Sequence, residues 1–159
     1  NYIKALALTI KKHLKDRDKI DKLVISFHGI PKRYFMAGDP YHCHCIKTAR
    51  LLKEELKWPQ NKVLVTFQSR FGPEPWLQPY TDETIIELAK QGSKNIALIA
   101  PGFISDCLET LEELNVEARE LFFENGGKTL QYVPCLNDNE YSIRFLNNII
   151  KQNLLGWNN

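Results

Sequence analysis

Apolar strand-like segments alternate with helix-like segments along the whole chain, and this alternation restricts the fold more than any other feature. Residues 22–27, 62–67 and 95–100 are continuous apolar runs, and residues 130–133 form a shorter fourth. Consecutive apolar residues are typical of strands that are buried on both faces of a parallel sheet. The sequence therefore predicts an α/β fold with a four-stranded parallel sheet between layers of helices.

Helix signals flank each of these strands. The first segment has helical spacing of its apolar residues up to Leu14, and Asp39 followed by Pro40 is typical of a helix start. Later signals predict three more helices: one from Thr81 to Gly92, one capped by Ser105 that runs to about Phe123, and a final one over residues 140–154 with Asn137 and Glu140 as its capping box.

The bulk composition excludes several classes of protein. The 159 residues are 43% hydrophobic and carry a net charge of +2, which fits one globular domain and gives no basic surface for nucleic acid. No apolar run approaches the roughly 20 residues that span a bilayer. The four cysteines form no CxxC pair, so we expect reduced thiols in a cytoplasmic protein. Because the chain opens in a helix without an initial Met, we interpret it as part of a longer protein.

Ligands of parallel α/β sheets bind at the carboxyl ends of the strands, which directs attention to His28, to the segment from Gln68 and to the segment from Pro101. His28 could bind a metal or accept a proton, or it could be a buried histidine bonded to backbone. The long loop 68–80 is typical of a binding loop in which Trp76 stacks on a flat ligand. The alternative is a packed loop whose tryptophan is merely enclosed.

Acidic residues are concentrated on the predicted fourth helix. Glu109, Glu113 and Glu117 are spaced by four, which predicts a row of carboxylates that could pass a divalent cation along, although a solvated acidic face is the alternative. Residues 42–45 (HCHC) could also ligate metal, but adjacent helical residues diverge by about 100°, which argues against a single site. Neither a GxGxxG motif nor a P-loop is present, so a nucleotide-binding domain is not expected.

Four motifs resemble the ferrochelatase family, and the likeness covers nearly the whole chain. They are SFHGIP at 26–31, GDPYHCHC at 38–45, TFQSRFGPEPWLQPYTDETI at 66–85 and APGFISDCLETLEEL at 100–114. The resemblance is to the C-terminal half of a Gram-negative, protoporphyrin-type ferrochelatase. It implies a Rossmann-like (chelatase-like) three-layer α/β/α domain over residues 1–159, in a two-domain enzyme whose N-terminal half is absent from this chain and whose active site lies in the cleft between the halves.

The same resemblance implies the roles of particular residues. His28 and Glu109 match the family's catalytic pair, on opposite sides of the cleft. With them, Glu113 and Glu117 match a metal-conducting row of ligands, on a helix that often contains π-type turns. Ser69, Trp76 and Phe103 match positions that line the porphyrin pocket. Asp106, at the head of the acidic helix, is a weaker candidate.

The implied activity is the insertion of Fe²⁺ into protoporphyrin IX to form protoheme, and we expect this chain alone to be inactive. Its partners would be protoporphyrin IX, Fe²⁺ as substrate and the N-terminal half of the enzyme, with no nucleic acid and with peripheral membrane contact left open. Cys107 replaces the histidine of animal enzymes, and the chain ends without the cysteine-bearing extension of iron–sulfur versions. We therefore expect no iron–sulfur cluster and no other tightly bound cofactor.

Two alternatives remain open at this level. One is a non-catalytic metal- or tetrapyrrole-binding module. The other is a related chelatase that inserts cobalt or nickel into a sirohydrochlorin-type ring. Those smaller enzymes tend to carry paired histidines for the metal, whereas this chain offers one histidine with one glutamate.

Overall fold

The computed structural model describes residues 1–14 and 16–157. Its strands are β1 (Lys22–His28), β2 (Val63–Gln68), β3 (Asn95–Ile99) and β4 (Thr129–Tyr132). Its helices are α1 (Tyr2–His13), α2 (Lys32–Met36), α3 (Tyr41–Leu56), α4 (Thr81–Lys90), α5 (Leu108–Leu111), α6 (Ala118–Glu124) and α7 (Glu140–Asn153). Short 3₁₀ turns occupy Arg17–Lys19 and Gln60–Lys62, and a π-helical turn, Glu113–Glu117, joins α5 to α6.

The four strands form one parallel sheet in the order β2-β1-β3-β4. The central strand β1 pairs with β2 from Leu23 opposite Val63 to His28 opposite Gln68. The predicted four-stranded parallel sheet is confirmed, and each predicted strand differs from the observed one by a single residue or none at either end.

Helices cover both faces of the sheet. One buried cluster contains Leu23, Ile25 and Phe27 of β1 together with apolar residues of α1 and α3, and the other contains Val24 of β1 together with apolar residues of α4 and α6. Alternate residues of β1 therefore enter opposite cores, as the pleat of a strand requires. This arrangement confirms the three-layer α/β/α prediction.

The final helix starts differently from the sequence prediction. The expected capping box of Asn137 with Glu140 is wrong, because the side chain of Asn139 caps α7 by accepting hydrogen bonds from the backbone N–H groups of Tyr141 and Ser142, each at 3.0 Å. Asn137 has a left-handed backbone, with φ of 48°, and its amide side chain is hydrogen-bonded to Asp106. Asn137, which the local sequence pattern favoured as the cap, is thus held by a tertiary contact instead.

The predicted helix from Ser105 to Phe123 is also modified. Ser105 does not cap it, since α5 is capped by Cys107, whose backbone N–H donates to the hydroxyl of Thr110 at 2.9 Å. The helix then widens, because the N–H of Glu117 donates to the carbonyl of Glu112, five residues earlier, at 2.9 Å. The π-type turn implied by the family resemblance is confirmed.

Two further features complete the fold. The short helix α2, which follows Pro31, was not predicted from the sequence. Within residues 1–14 and 16–157, every helix is too short or too polar to cross a lipid bilayer.

Adjacent phenylalanines of α6 provide a test of this packing. Phe122 is fully buried in the second core, whereas Phe123 is 44% exposed. We expect Phe122→Ala to lower the free energy of unfolding by about 3–5 kcal/mol, because it removes a buried aromatic ring and leaves a cavity. Phe123→Ala should cost less than about 1 kcal/mol. Urea denaturation of both variants measures the difference, and equal losses would contradict this assignment of the core.

Candidate functional site

The carboxyl ends of β1 and β2 lie side by side and hold the first candidate residue. The N–H of Gly29 donates to the carbonyl of Gln68 at 2.7 Å, immediately after the last paired residues, His28 and Gln68. A Cβ at position 29 would lie 3.0 Å from that carbonyl and 3.1 Å from the ring of Trp76. Glycine therefore allows the two strand ends and the tryptophan to approach one another closely.

The His28 imidazole is half-buried and has a defined orientation. Its Nδ1 lies 2.6 Å from the carbonyl of Gly29. A carbonyl can only accept a hydrogen bond, so the neutral ring carries its proton on Nδ1 and leaves Nε2 unprotonated. Nε2 is then able to bind a metal or accept a proton.

Two aromatic side chains flank this imidazole. The ring centroids of Trp76 and Phe103 lie 6.3 Å and 6.4 Å from that of His28. Trp76 comes from the long loop after β2, and Phe103 comes from the loop after β3. Residues from the carboxyl ends of three different strands therefore lie close together at one edge of the sheet.

The loop 68–80 is packed against the segment that follows β1. The N–H of Lys32 donates to the carbonyl of Pro75 at 2.8 Å, and the N–H of Leu77 donates to the carbonyl of Ile30 at 3.0 Å. The indole N–H of Trp76 donates to the carbonyl of Phe71 at 2.9 Å. Trp76 stays partly accessible, so the loop presents a fixed aromatic face beside His28.

Glu109 lies in the first turn of α5. A hydrogen bond from its own backbone N–H is the largest factor that lowers the pKa of the Glu109 carboxyl, followed by the Cys107 side chain; desolvation opposes these, and the charge of His28 makes the smallest contribution. The carboxyl is therefore ionised at neutral pH. Its pairing with the His28 imidazole stays a prediction.

Glu113 is held by uncharged donors at the end of β2. Its carboxylate accepts hydrogen bonds from the backbone N–H of Ser69 at 2.7 Å, from the Ser69 hydroxyl and from Nε2 of Gln68 at 3.2 Å. Ser69 has a left-handed φ of 63°, which directs its N–H toward the carboxylate. Two residues predicted for different roles, Ser69 for the substrate and Glu113 for the metal, thus form one contact.

Glu117 is exposed, one step further from the sheet than the half-buried Glu113. A cavity of about 270 Å³ adjoins both side chains. Its other polar lining residues are Gln68, Ser69, Arg70, Tyr80, Thr81 and Asp82. Glu113 is thus held at the end of β2 while Glu117 faces solvent, and the π-type turn means that the carboxylates do not follow an even α-helical row.

Other candidate ligands do not join this group. Within the described part of the chain, no three His, Cys, Asp or Glu side chains converge on one point where a metal could be held. In the HCHC segment, Cys43 is exposed, Cys45 is buried and His42 stacks on Phe67 with ring centroids 5.7 Å apart. The divergence predicted for adjacent helical residues is observed. Arg70 does pair with carboxylates, but these belong to Asp82 and Glu83, both at 3.0 Å.

A buried polar cluster beneath the site was missed in the sequence. Its members are Ser26, Thr66, Gln68 and Thr81, all no more than 4% exposed. The signal was available, because Ser26 and Thr66 interrupt apolar strands and Gln68 ends one. Polar residues in such segments are retained when they have partners, and the partners are visible only in the folded chain.

Asp106 ties the start of α5 to the segment after β4. It accepts hydrogen bonds from Tyr132 and from the Asn137 amide, both at 2.7 Å, and its own N–H donates to Asn137. Burial alone would raise the pKa of Asp106, but the hydrogen bonds from Asn137, Tyr132 and Cys135 outweigh it, so the pKa is lowered. These contacts assign Asp106 to the structural support of the site.

Known proteins were compared with the chain and with its fold. The family model described as "Ferrochelatase" matches residues 1–154. The ferrochelatases of Allorhizobium ampelinum and Rhizobium meliloti are each 59% identical over 157 residues, which is 98% of this chain and 46% of each relative. That of Brucella ovis is 50% identical over 98% of this chain and 45% of its own length. The chain thus spans less than half the length of these curated relatives.

A solved structure supports the fold at low sequence identity. It is the crystal structure of a protein from Marinobacter aquaeolei VT8 that is described as CbiX of cobalamin (vitamin B12) biosynthesis. The two structures share a TM-score of 0.54 with 13% identity, over 84% of this chain and 96% of that one. At this identity the likeness establishes a shared chelatase-like fold alone.

The hydrogen bonds on Asp106 predict a pH-dependent contribution to stability. Since the folded-state pKa is below the unfolded value of about 3.9, the contribution is complete above that value and is lost as pH falls through the folded pKa. Asp106→Asn should therefore be less stable than the parent chain at pH 7, with a difference that shrinks on acidification. Denaturant titrations from pH 7 to pH 3 measure it. Asp138→Asn, at an exposed position of the same loop, should show no such trend.

Proposed function

This chain belongs to the ferrochelatase family, and from this premise we propose that it is the C-terminal chelatase-like domain of a two-domain ferrochelatase. The proposed reaction is the insertion of Fe²⁺ into protoporphyrin IX to form protoheme. The observation that carries the proposal is the grouping of the Trp76 and Phe103 rings with the His28 imidazole at the carboxyl end of β1. The domain bounds of 1–159 are part of the same proposal, and positions 15, 158 and 159 lie outside the described residues.

Metallation exchanges two pyrrole N–H protons for one divalent cation. His28 supplies a proton acceptor, since the hydrogen bond from Nδ1 to Gly29 leaves Nε2 free. The half-buried imidazole accepts one proton, releases it to solvent and becomes neutral again for the second.

Glu109 supplies a carboxylate oxygen for Fe²⁺ next to this acceptor. Its lowered pKa keeps it charged, so an incoming cation meets a hard oxygen ligand and need not displace a proton. The positive charge that His28 gains on protonation is stabilised by the same carboxylate. One imidazole and one carboxylate together can therefore exchange protons for metal.

The remaining site residues take supporting roles in the proposal. Trp76 and Phe103 provide apolar faces for a flat macrocycle beside His28. Ser69 lines the porphyrin pocket as well as holding Glu113. Glu117 and Glu113 lead Fe²⁺ from solvent toward Glu109, because their exposure decreases in that order and the cavity of about 270 Å³ adjoins both.

The binding partners and the cellular location are part of the same proposal. Protoporphyrin IX and Fe²⁺ are the substrates, and the half of the enzyme that this chain does not contain supplies the opposite wall of the cleft. A cytoplasmic location, peripheral contact with a membrane, and the lack of a nucleic-acid partner, of a tightly bound cofactor and of an iron–sulfur cluster all stay predictions.

A chimera tests the proposed function directly. The segment of the Rhizobium meliloti ferrochelatase that matches this chain, 46% of that protein, is replaced by the chain itself. We expect the chimera to form protoheme from Fe²⁺ and protoporphyrin IX, and the isolated chain to form none. A folded but inactive chimera would favour the non-catalytic metal- or tetrapyrrole-binding module. Insertion of Co²⁺ or Ni²⁺ into a sirohydrochlorin-type ring, without protoheme formation, would favour the related chelatase.

Substitution of His28 tests the proton acceptor. In the chimera, His28→Ala should lower kcat by about 10²–10⁴-fold, because proton transfer to a positioned base contributes on that order. The folded state should persist, since the ring is half-buried at a strand end. His44→Ala, at an exposed position of α3, is the matched control and should keep parental turnover. Near-normal turnover of His28→Ala would remove this residue from the mechanism.

Glu117→Gln tests the route of the metal. We expect a several-fold rise in KM for Fe²⁺ and an unchanged KM for protoporphyrin IX, because the substitution removes one charge from the solvent end of the row. Glu120→Gln removes the same charge from another exposed position of the helix and should change neither value. If the two variants respond alike, the effect reflects net charge and the route through Glu117 is wrong.

A further inference from the structure

The buried cluster of Ser26, Thr66, Gln68 and Thr81 connects the sheet to the acidic helix. The Ser26 hydroxyl donates to Oε1 of Gln68 at 2.8 Å and lies 2.8 Å from the hydroxyl of Thr81. Thr81 in turn donates to Thr66 at 2.9 Å. A cluster of this kind is costly to bury unless its members are paired, and here they are paired with one another.

Gln68 is the member of this cluster that extends into the site. Its Nε2 donates to the main-chain carbonyl of Glu109 at 2.8 Å and to the carboxylate of Glu113 at 3.2 Å. A longer contact of 3.4 Å joins it to the Ser69 hydroxyl. The groups on this side accept from Nε2, whereas Ser26 on the other side has a proton to donate. The orientation of the amide is therefore fixed by its surroundings.

The acidic helix needs such an attachment. The helix α5 has only four residues and is followed at once by the π-type turn, so its own hydrogen bonds give it little rigidity. Ser69 holds Glu113 but is not hydrogen-bonded to Glu109. Gln68 contacts both residues, and it pairs in register with His28 on the neighbouring strand.

We propose that Gln68 is a positioning residue, which sets the place of Glu109 and Glu113 relative to His28 by joining the carbonyl of one and the carboxylate of the other to the sheet. This inference rests on the proposed function, because the distance between imidazole and carboxylate matters only if both act on one metal and one macrocycle. The amide acts through Glu109 and Glu113 and does not touch the substrate.

Two substitutions at this position separate positioning from mere packing. Gln68→Met removes the donor at every pH. Gln68→Glu keeps the shape of the side chain and the oxygen that accepts from Ser26. When ionised, however, it places a negatively charged oxygen next to the carbonyl of Glu109 and the carboxylate of Glu113. When protonated, the introduced carboxyl can donate again. Burial and a neighbouring carboxylate both raise the pKa of a carboxyl, so acidification favours the protonated form that can donate.

The parent and all the variants share the other charged groups around this position, so the pH profile of the parent controls for the titration of those groups. They are Glu113 in direct contact, His28 on the adjacent strand, and Arg70, Asp82 and Glu117 around the same cavity. Gln91→Glu adds the same charge at an exposed position just after the far end of α4 and serves as the matched control.

In the chimera, the ratio of kcat/KM for Fe²⁺ in Gln68→Glu to that in the parent should fall about tenfold between about pH 6 and pH 9. The ratio for Gln68→Met should be low and independent of pH, and that for Gln91→Glu should stay near one. A flat ratio for Gln68→Glu, or parental activity in Gln68→Met, would overturn the inference.

Hydrogen exchange in the isolated chain separates failure of this inference from failure of the proposed function. Amides of residues 113–118 should exchange faster in Gln68→Glu than in the parent at about pH 9, and at the parental rate at about pH 6. If the parental chimera forms no protoheme, the proposed function fails, while this measurement still decides whether Gln68 holds the helix. If the exchange of these amides is unchanged in both Gln68→Glu and Gln68→Met, Gln68 does not hold the helix.

Discussion

The parallel pairing of β1 with β2 is the constraint on which the rest of the site depends. It sets His28 opposite Gln68, and the hydrogen bond from Gly29 to Gln68 carries the alignment past the last paired residues. Because both strands end at the same level, one strand presents an imidazole and the other presents the amide and Ser69 that hold the acidic helix. Gly29 makes the arrangement compact, since any Cβ there would meet the carbonyl of Gln68 and the ring of Trp76.

Hydrogen bonds from uncharged groups, rather than ion pairs, hold the acidic side chain at this edge. Glu113 is held by a backbone N–H, a hydroxyl and an amide, none of which carries a positive charge. Arg70 is bound to Asp82 and Glu83, and Arg119 is bound to Asn115. The Glu113 carboxylate is thus fixed in place without being neutralised by these cations, so its negative charge is retained.

Membership in the ferrochelatase family and similarity of fold give different information about this protein. The likeness to the CbiX structure at 13% identity concerns the sheet and its helices, which many metal-inserting and unrelated proteins can share. The specific chemistry resides in side chains at one edge of that sheet. The fold supplies the edge, and the sequence at the strand ends decides what the edge can do.

The sequence alone determined the strands, their parallel arrangement and which residues lie at the strand ends, because buried strands leave a continuous apolar pattern. It could not determine how those residues are held. Asn139 caps α7 while Asn137 is engaged by Asp106, and Gln68 reaches Glu109 and Glu113 only because residues 41 and 45 positions further along the chain fold back onto β2. Contacts between residues so far apart in the chain have no local signature, and the tertiary structure alone decides them.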